Sequence, residues 1–266
     1  MGNLTMSDIQ GAMAIFKIVQ LPMWMPMYII LIILFATRPD FKNIIAYKIL
    51  LNICLMDCLY LFQSFIDGVF RLCWSNLLPV LGDILSCTRC GYLNAVPLLT
   101  LVLAINRLVV MLNVNNPKHY GLYKVAIAFA WCIVVPIPIL LHFSPNKIAF
   151  ELTADGYVYS GPPYFEFIMG YLGPSLQLGA FCCYFGVLVS ILVKKQIYGN
   201  AFKLTPMEMR LILQAFLISL PLATVILCGL VLADDLFDRL WLYITWSTLA
   251  ALVPAVNLLV HVAFNP

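Results

Sequence analysis

The chain has 266 residues, of which 63% are apolar and only 10% charged, with a formal net charge of +3. A soluble domain carries roughly 45–50% apolar and about 25% charged residues. Composition therefore excludes a soluble enzyme, a nucleic-acid binder and a disordered tail, because too few polar residues remain to cover so large an apolar core. At about 20 apolar residues per span, the length holds seven spans, short connections and no second domain.

The first apolar segment runs from about Ala14 to Thr37 and contains Pro22 and Pro26. The second covers about Ile45 to Asp67, the third Cys87 to Leu112, the fourth Leu122 to Phe143 and the fifth Tyr164 to Val193. The sixth runs from about Glu208 to Ala233 and the seventh from Leu240 to Ala263. These predict an all-α membrane protein, a single seven-helix transmembrane bundle over residues 1–266. The connections are short and polar, with loops at Ser144 to Pro163 and Lys194 to Pro206 among them. The stretch from Gly68 to Ser86, broken by Arg71, Pro79, Gly82 and Asp83, reads as a loop with a short interfacial piece around Trp74.

Basic residues orient the chain. With the N-terminus outside, ten of the fifteen Lys and Arg fall at cytoplasmic ends: Arg38, Lys42, Lys48, Arg107, Lys118, Lys124, Lys194, Lys195, Lys203 and Arg210. The opposite side holds the other five, Lys17, Arg71, Arg89, Lys147 and Arg239. The positive-inside rule then gives N-outside and C-inside. Asn3-Leu4-Thr5 is a glycosylation sequon that this topology places outside. The first residues lack a basic n-region, so no cleaved signal peptide is expected.

No metal, phosphate-loop or serine-nucleophile motif is present, so neither an enzyme nor a cofactor is expected. His119, His142 and His261 lie far apart near segment ends and read as loop or interfacial residues. Most of the nine cysteines sit in apolar runs and act as small hydrophobes. Asp57 is different. It stands within the second segment, where lipid exposure would cost several kcal/mol on the order of the insertion scales. It must face the bundle interior, either to bind or only to hydrogen-bond a neighbouring helix.

Seven spans with Asn52 and Asp57 in the second resemble the rhodopsin-like G-protein-coupled receptors. The third span ends Leu103-Ala104-Ile105-Asn106-Arg107-Leu108, similar to the family's Asp-Arg-Tyr motif with the Arg retained. That ending, and Met207-Glu208-Met209-Arg210 opening the sixth span, are similar to the nematode serpentine chemoreceptors of classes T and X. Trp131 with Pro136 and Pro138, then Pro174 and Pro221, match the family's usual positions, and Val253-Pro254-Ala255-Val256-Asn257 resembles Asn-Pro-x-x-Tyr. The chain departs from the pattern as well. The first span lacks its usual Asn, Ser219 and Leu220 replace the aromatic before Pro221, and the chain ends at Pro266 without a Ser/Thr-rich tail. Residues 144–163 contain no Cys, so Cys73 with Cys87 or Cys90 is the substitute for the family's outer disulfide.

The resemblance implies a plasma-membrane chemosensory receptor, in a sensory cilium if a chemoreceptor, with a small-molecule ligand, a heterotrimeric G protein and the lipid bilayer as partners. It assigns the switch to Arg107 with Asn106, Glu208, Asp57, Pro254 and Asn257, with Glu208 as the acid that holds Arg107 at rest. It places candidate pocket residues at Arg89, Tyr92, Asn94, Glu166, Tyr171, Tyr243 and Trp246. Arg89 lies eighteen residues before Arg107, on the same helix face about 27 Å away. There it either meets an acidic ligand or pairs with Glu166 or Asp67. The polar residues that hold sodium beside the equivalent acid are replaced, Val96 being one, so Asp57 is expected to bond toward Asn257 instead. The alternatives are an ion channel or transporter with Asp57 on the ion path, and a receptor-like protein that does not signal.

Overall fold

The computed structural model describes residues 6–42, 44–73, 79–112, 119–144, 148–150, 157–159, 163–198, 206–231 and 240–264. Among these, seven helices are long and apolar enough to cross a membrane, the architecture of a multi-pass membrane protein.

Helix α1 is Met6–Thr37, followed by the single turn α2, Pro39–Lys42. Helices α3 (Ile45–Leu72) and α4 (Pro79–Met111) come next, then α5 (His119–Val134) and α6 (Pro136–His142). Helices α7 (Pro163–Tyr198), α8 (Pro206–Val231) and α9 (Leu240–Phe264) complete the bundle. The fourth span is α5 and α6 together. Pro136 has no N–H for the carbonyl four residues back, so the helix breaks at Val135 and restarts with proline in its first turn.

Residues 68–86 depart from the predicted loop. Helix α3 continues to Leu72 and α4 already starts at Pro79, so both helices run well past the apolar segments. Gly68 is not a breaker but a contact point: a Cβ there would lie 2.7 Å from the Ala14 carbonyl oxygen of α1. Trp74 lies outside the described residues. The loop at 144–163 also carries structure, an antiparallel pair of short strands, β1 (Ile148–Phe150) and β2 (Tyr157–Tyr159).

Helix α4 is the hub, touching α3, α5, α6, α7 and α8. Small residues allow this close approach, as they do between membrane helices generally. A Cβ at Gly91 would lie 2.6 Å from the Ile133 oxygen, and one at Gly173 of α7 would lie 2.6 Å from the Leu93 oxygen. The Leu93 carbonyl is the one that Pro97 leaves without its helical donor, so α7 packs on a proline-modified turn of α4.

The core is continuous from Tyr28 on α1 to Leu258 on α9. At the end of the bundle carrying the α1–α3 turn, Phe35 meets Phe41 and His261 edge-on, and Tyr47 packs at a tilt against both phenylalanines. Large apolar side chains such as Ile30, Leu140, Leu178, Phe185 and Leu192 are exposed. On membrane-spanning helices these are lipid-facing surfaces.

Candidate functional site

Asp57 is fully buried midway along α3. Three donors from three other helices converge on its carboxyl group. Tyr28 Oη of α1 lies 2.8 Å from Oδ2, Asn257 Nδ2 of α9 lies 3.0 Å from Oδ2, and Tyr92 Oη of α4 lies 2.7 Å from Oδ1. One carboxyl therefore ties α1, α3, α4 and α9 together, and the Asn257 bond is the one expected from the sequence. Tyr92 carries a role that the sequence did not assign to it. It was a pocket candidate, yet its hydroxyl is spent on Asp57 and its ring stacks on Tyr60. A buried tyrosine hydroxyl needs a partner, and the lone acid supplies it.

The knot grips α9 where Pro254 weakens it. Proline cannot donate to the Ala250 carbonyl one turn back, and the Tyr60 hydroxyl stands 3.4 Å from that oxygen instead. Tyr28 Oη is also 2.7 Å from the Pro254 carbonyl oxygen. The proton count matters here. A tyrosine hydroxyl has one proton, and Tyr28 faces two acceptors. With Asp57 ionised, the four contacts of the knot share three protons. With Asp57 protonated, Oδ2–H donates to Tyr28, Tyr28 donates to Pro254, and each contact has its own proton.

A second polar bridge lies toward the C-terminal end of α9. His261 is completely buried, not interfacial as its position near a segment end suggested. Gln214 Nε2 of α8 lies 3.0 Å from Nδ1, and Cys54 Sγ of α3 lies 3.4 Å from Nε2. With Gln214 donating, Nδ1 accepts and Nε2 carries the ring proton toward the sulfur. Elsewhere Trp131 Nε1 donates to Asn52 Oδ1 at 2.7 Å, joining α5 to α3. Gln177 of α7 lies 3.2 Å from Thr100 of α4 and donates to the Ser219 carbonyl of α8 at 3.0 Å.

Asn106 and Arg107 are both buried near the C-terminal end of α4. Arg107 lies within electrostatic reach of Tyr184, Tyr47, Glu208 and Tyr123, from four other segments. Its Nε has no hydrogen-bond partner, nor does the Tyr184 hydroxyl. The Glu208 that the resemblance pairs with Arg107 is thus one of several groups within electrostatic reach of it, the others being tyrosines. Lys194 of α7 donates to the Met111 carbonyl at the same end of α4.

The opposite end holds a second group of charges. Lys17 Nζ of α1 is 2.5 Å from Asp67 Oδ2, and Arg71 Nε is 3.1 and 3.2 Å from its two carboxyl oxygens. Arg89 is largely buried within electrostatic reach of Asp67. Of the two acids named for Arg89, Asp67 is within electrostatic reach. Farther round, His142 Nδ1 lies 3.6 Å from Asp83.

Among the described pocket candidates, Trp246 lines an open space between helices. With Leu93, Gly170, Pro174, Val225, Ile226 and Gly229 it lines about 290 Å³ between α4, α7, α8 and α9. Its indole N–H donates to the Val225 carbonyl at 3.0 Å. Asn94 is buried and its amide donates to Cys90 O within α4, and Tyr171 is half exposed. The side chains of Glu166 and Tyr243, and Asn3, lie outside the described residues.

The expected disulfide is not formed, since all nine cysteines are free. The early start of α4 accounts for this: Cys87 is buried more than two turns inside the helix, while Cys73 is exposed at the end of α3.

No protein-family model matches the chain, and no curated protein sequence matches it.

Proposed function

We propose that the chain is a seven-helix receptor of the plasma membrane that binds a small molecule near the N-terminal end of the bundle and couples to a heterotrimeric G protein at the other end. In this reading the N-terminus is outside and carries the glycan at Asn3. The observation that carries the proposal is the Asp57 knot. It joins four helices, and one of them is gripped at its own proline break. A site where helices are held by a few exchangeable hydrogen bonds is a two-state element that a ligand can bias.

The same knot argues against conduction. Tyr28, Tyr92 and Asn257 occupy the Asp57 oxygens, whereas a conduction path needs rings of lining groups left for the ion. Arg107, buried within electrostatic reach of Glu208 of α8, supports the coupling end: outward movement of α8 would draw Glu208 away and free the guanidinium for a partner's carbonyls or carboxylates.

The test sets two assays on one preparation. Membranes containing the chain and a purified G protein are screened for ligand-dependent nucleotide exchange, and liposomes are screened for ion flux. Exchange without flux supports the receptor. Flux that vanishes in Asp57→Asn, without exchange, makes the protein a channel or transporter.

A further inference from the structure

We propose that Gln20 of α1, Ser64 of α3 and Ser247 of α9 form a binding site for water inside the bundle, between the Asp57 knot and the Lys17–Asp67 ion pair. The site goes beyond the receptor reading and does not rest on it.

The register of the helices brings the three residues to one level. Tyr28 Oη of α1 is 2.7 Å from the Pro254 carbonyl oxygen of α9, and the ring centroids of Phe35 and His261 are 5.8 Å apart. Both helices advance by the same seven residues between these contacts, so they run parallel and in step. One heptad toward the N-terminus, Leu21 comes level with Ser247. Helices α1 and α3 run antiparallel, since Tyr28 meets Asp57 and Lys17 meets Asp67. Between those two contacts, the level of Gln20 is that of Ser64.

All three side chains are buried. Neither Nε2 nor Oε1 of Gln20 has a hydrogen-bond partner, and Ser247 Oγ has none. Orphaned polar groups are costly, and at membrane depth no bulk water relieves them. Their chemistry selects the occupant. Gln20 offers two N–H donors and one carbonyl acceptor, and each serine hydroxyl both donates and accepts. A cation would leave the amide N–H groups unserved, and it would sit one turn from the Lys17 ammonium. An anion would leave the carbonyl unserved, and an acyl chain would serve none of the groups. Water donates and accepts, and a buried water makes about three such bonds.

The experiment uses the full chain in lipid nanodiscs with ¹⁵N-labelled glutamine side chains, and reads NMR magnetisation transfer from water to each amide. The Gln20 signal is the one that Gln20→Leu removes. Gln177 is the internal reference, because it is comparably buried and its amide donates to the Ser219 carbonyl. Gln20 should receive water magnetisation several-fold faster than Gln177. Ser247→Ala and Ser64→Ala each take a partner from the water and should slow the transfer to Gln20, with an unmoved Gln177 signal as the sign of a native fold. Ser247→Cys, close in size but a weak donor, repeats the test if the alanine form loses that signal. Transfer to Gln20 as slow as to Gln177 would mean that protein alone surrounds the amide, and overturns the proposal. Transfer that either serine variant leaves unchanged overturns it too. A Gln20 signal that shifts when sodium replaces N-methylglucamine would put a cation in the site, and transfer from lipid acyl protons in place of water would put a lipid chain there. Either result also overturns the proposal.

Discussion

Tyr92 Oη of α4 lies 2.7 Å from Asp57 Oδ1 of α3, deep in the apolar centre of the bundle. That contact places a phenol against the acid on one side, while Tyr28 and Asn257 close the other. The carboxyl group is a fastener between helices, and its chemistry sets what substitution does.

Asp57→Asn should be nearly neutral for stability. The new amide can donate to Tyr28 and accept from Tyr92. Asn257 can turn its Oδ1 inward, since that oxygen has no hydrogen-bond partner in the native arrangement. Asp57→Ala removes all three contacts; Tyr28 keeps the Pro254 carbonyl, while the buried Tyr92 and Asn257 donors lose the acceptor they share, at about 1–3 kcal/mol for each. Thermal unfolding in detergent should therefore separate the two variants clearly, with the alanine form the less stable.

Sodium should have no specific effect. The donors at Asp57 are two hydroxyls and an amide N–H, which approach the oxygens from the directions a cation would use. Melting curves in sodium and in a bulky organic cation should coincide. A sodium-dependent gain that disappears in Asp57→Asn would contradict this.

The seven spans were legible in the sequence because each is a long apolar run, and so was Asp57, as a lone acid within one of them. Helix ends were not. The α3 and α4 extensions are polar enough to read as loop, and Gly68 and Pro79 look like breakers until their neighbours are known. Of the site, the Asp57–Asn257 bond was anticipated by resemblance. Tyr28 and His261 were missed because aromatic and near-terminal residues in apolar runs carry no distinct pattern. One signal was available: each has a polar group in a segment without water, and such groups must be satisfied by another helix.

Helix packing gives a third prediction. Gly68→Val and Gly173→Ala both place carbon within 2.7 Å of a backbone oxygen, which cannot move aside like a flexible side chain. Each should cost about 1–3 kcal/mol by overpacking. Gly11→Ala, which meets nothing within 4 Å, is the matched control and should be neutral or slightly stabilising.

The buried ion pair gives a fourth. Lys17→Met leaves Asp67 with Arg71 still bonded, so the loss should sit near the lower end of the range for a broken buried pair, about 3 kcal/mol. Asp67→Asn takes the acid away from Lys17 and Arg71 together and should cost more. The double variant Lys17→Met/Asp67→Asn should cost less than the sum of the two, and a strictly additive cycle would contradict direct coupling.

Orientation is the measurement that bears most directly on the receptor account. Ten of fifteen basic residues mark one side as cytoplasmic, and only that side lets Arg107 meet a G protein. Epitope tags at the two ends should be read in intact and in permeabilised cells. The account predicts an N-terminal tag stained in intact cells and a C-terminal tag stained only after permeabilisation. The reverse pattern would turn the Arg107 end outward and contradict the account.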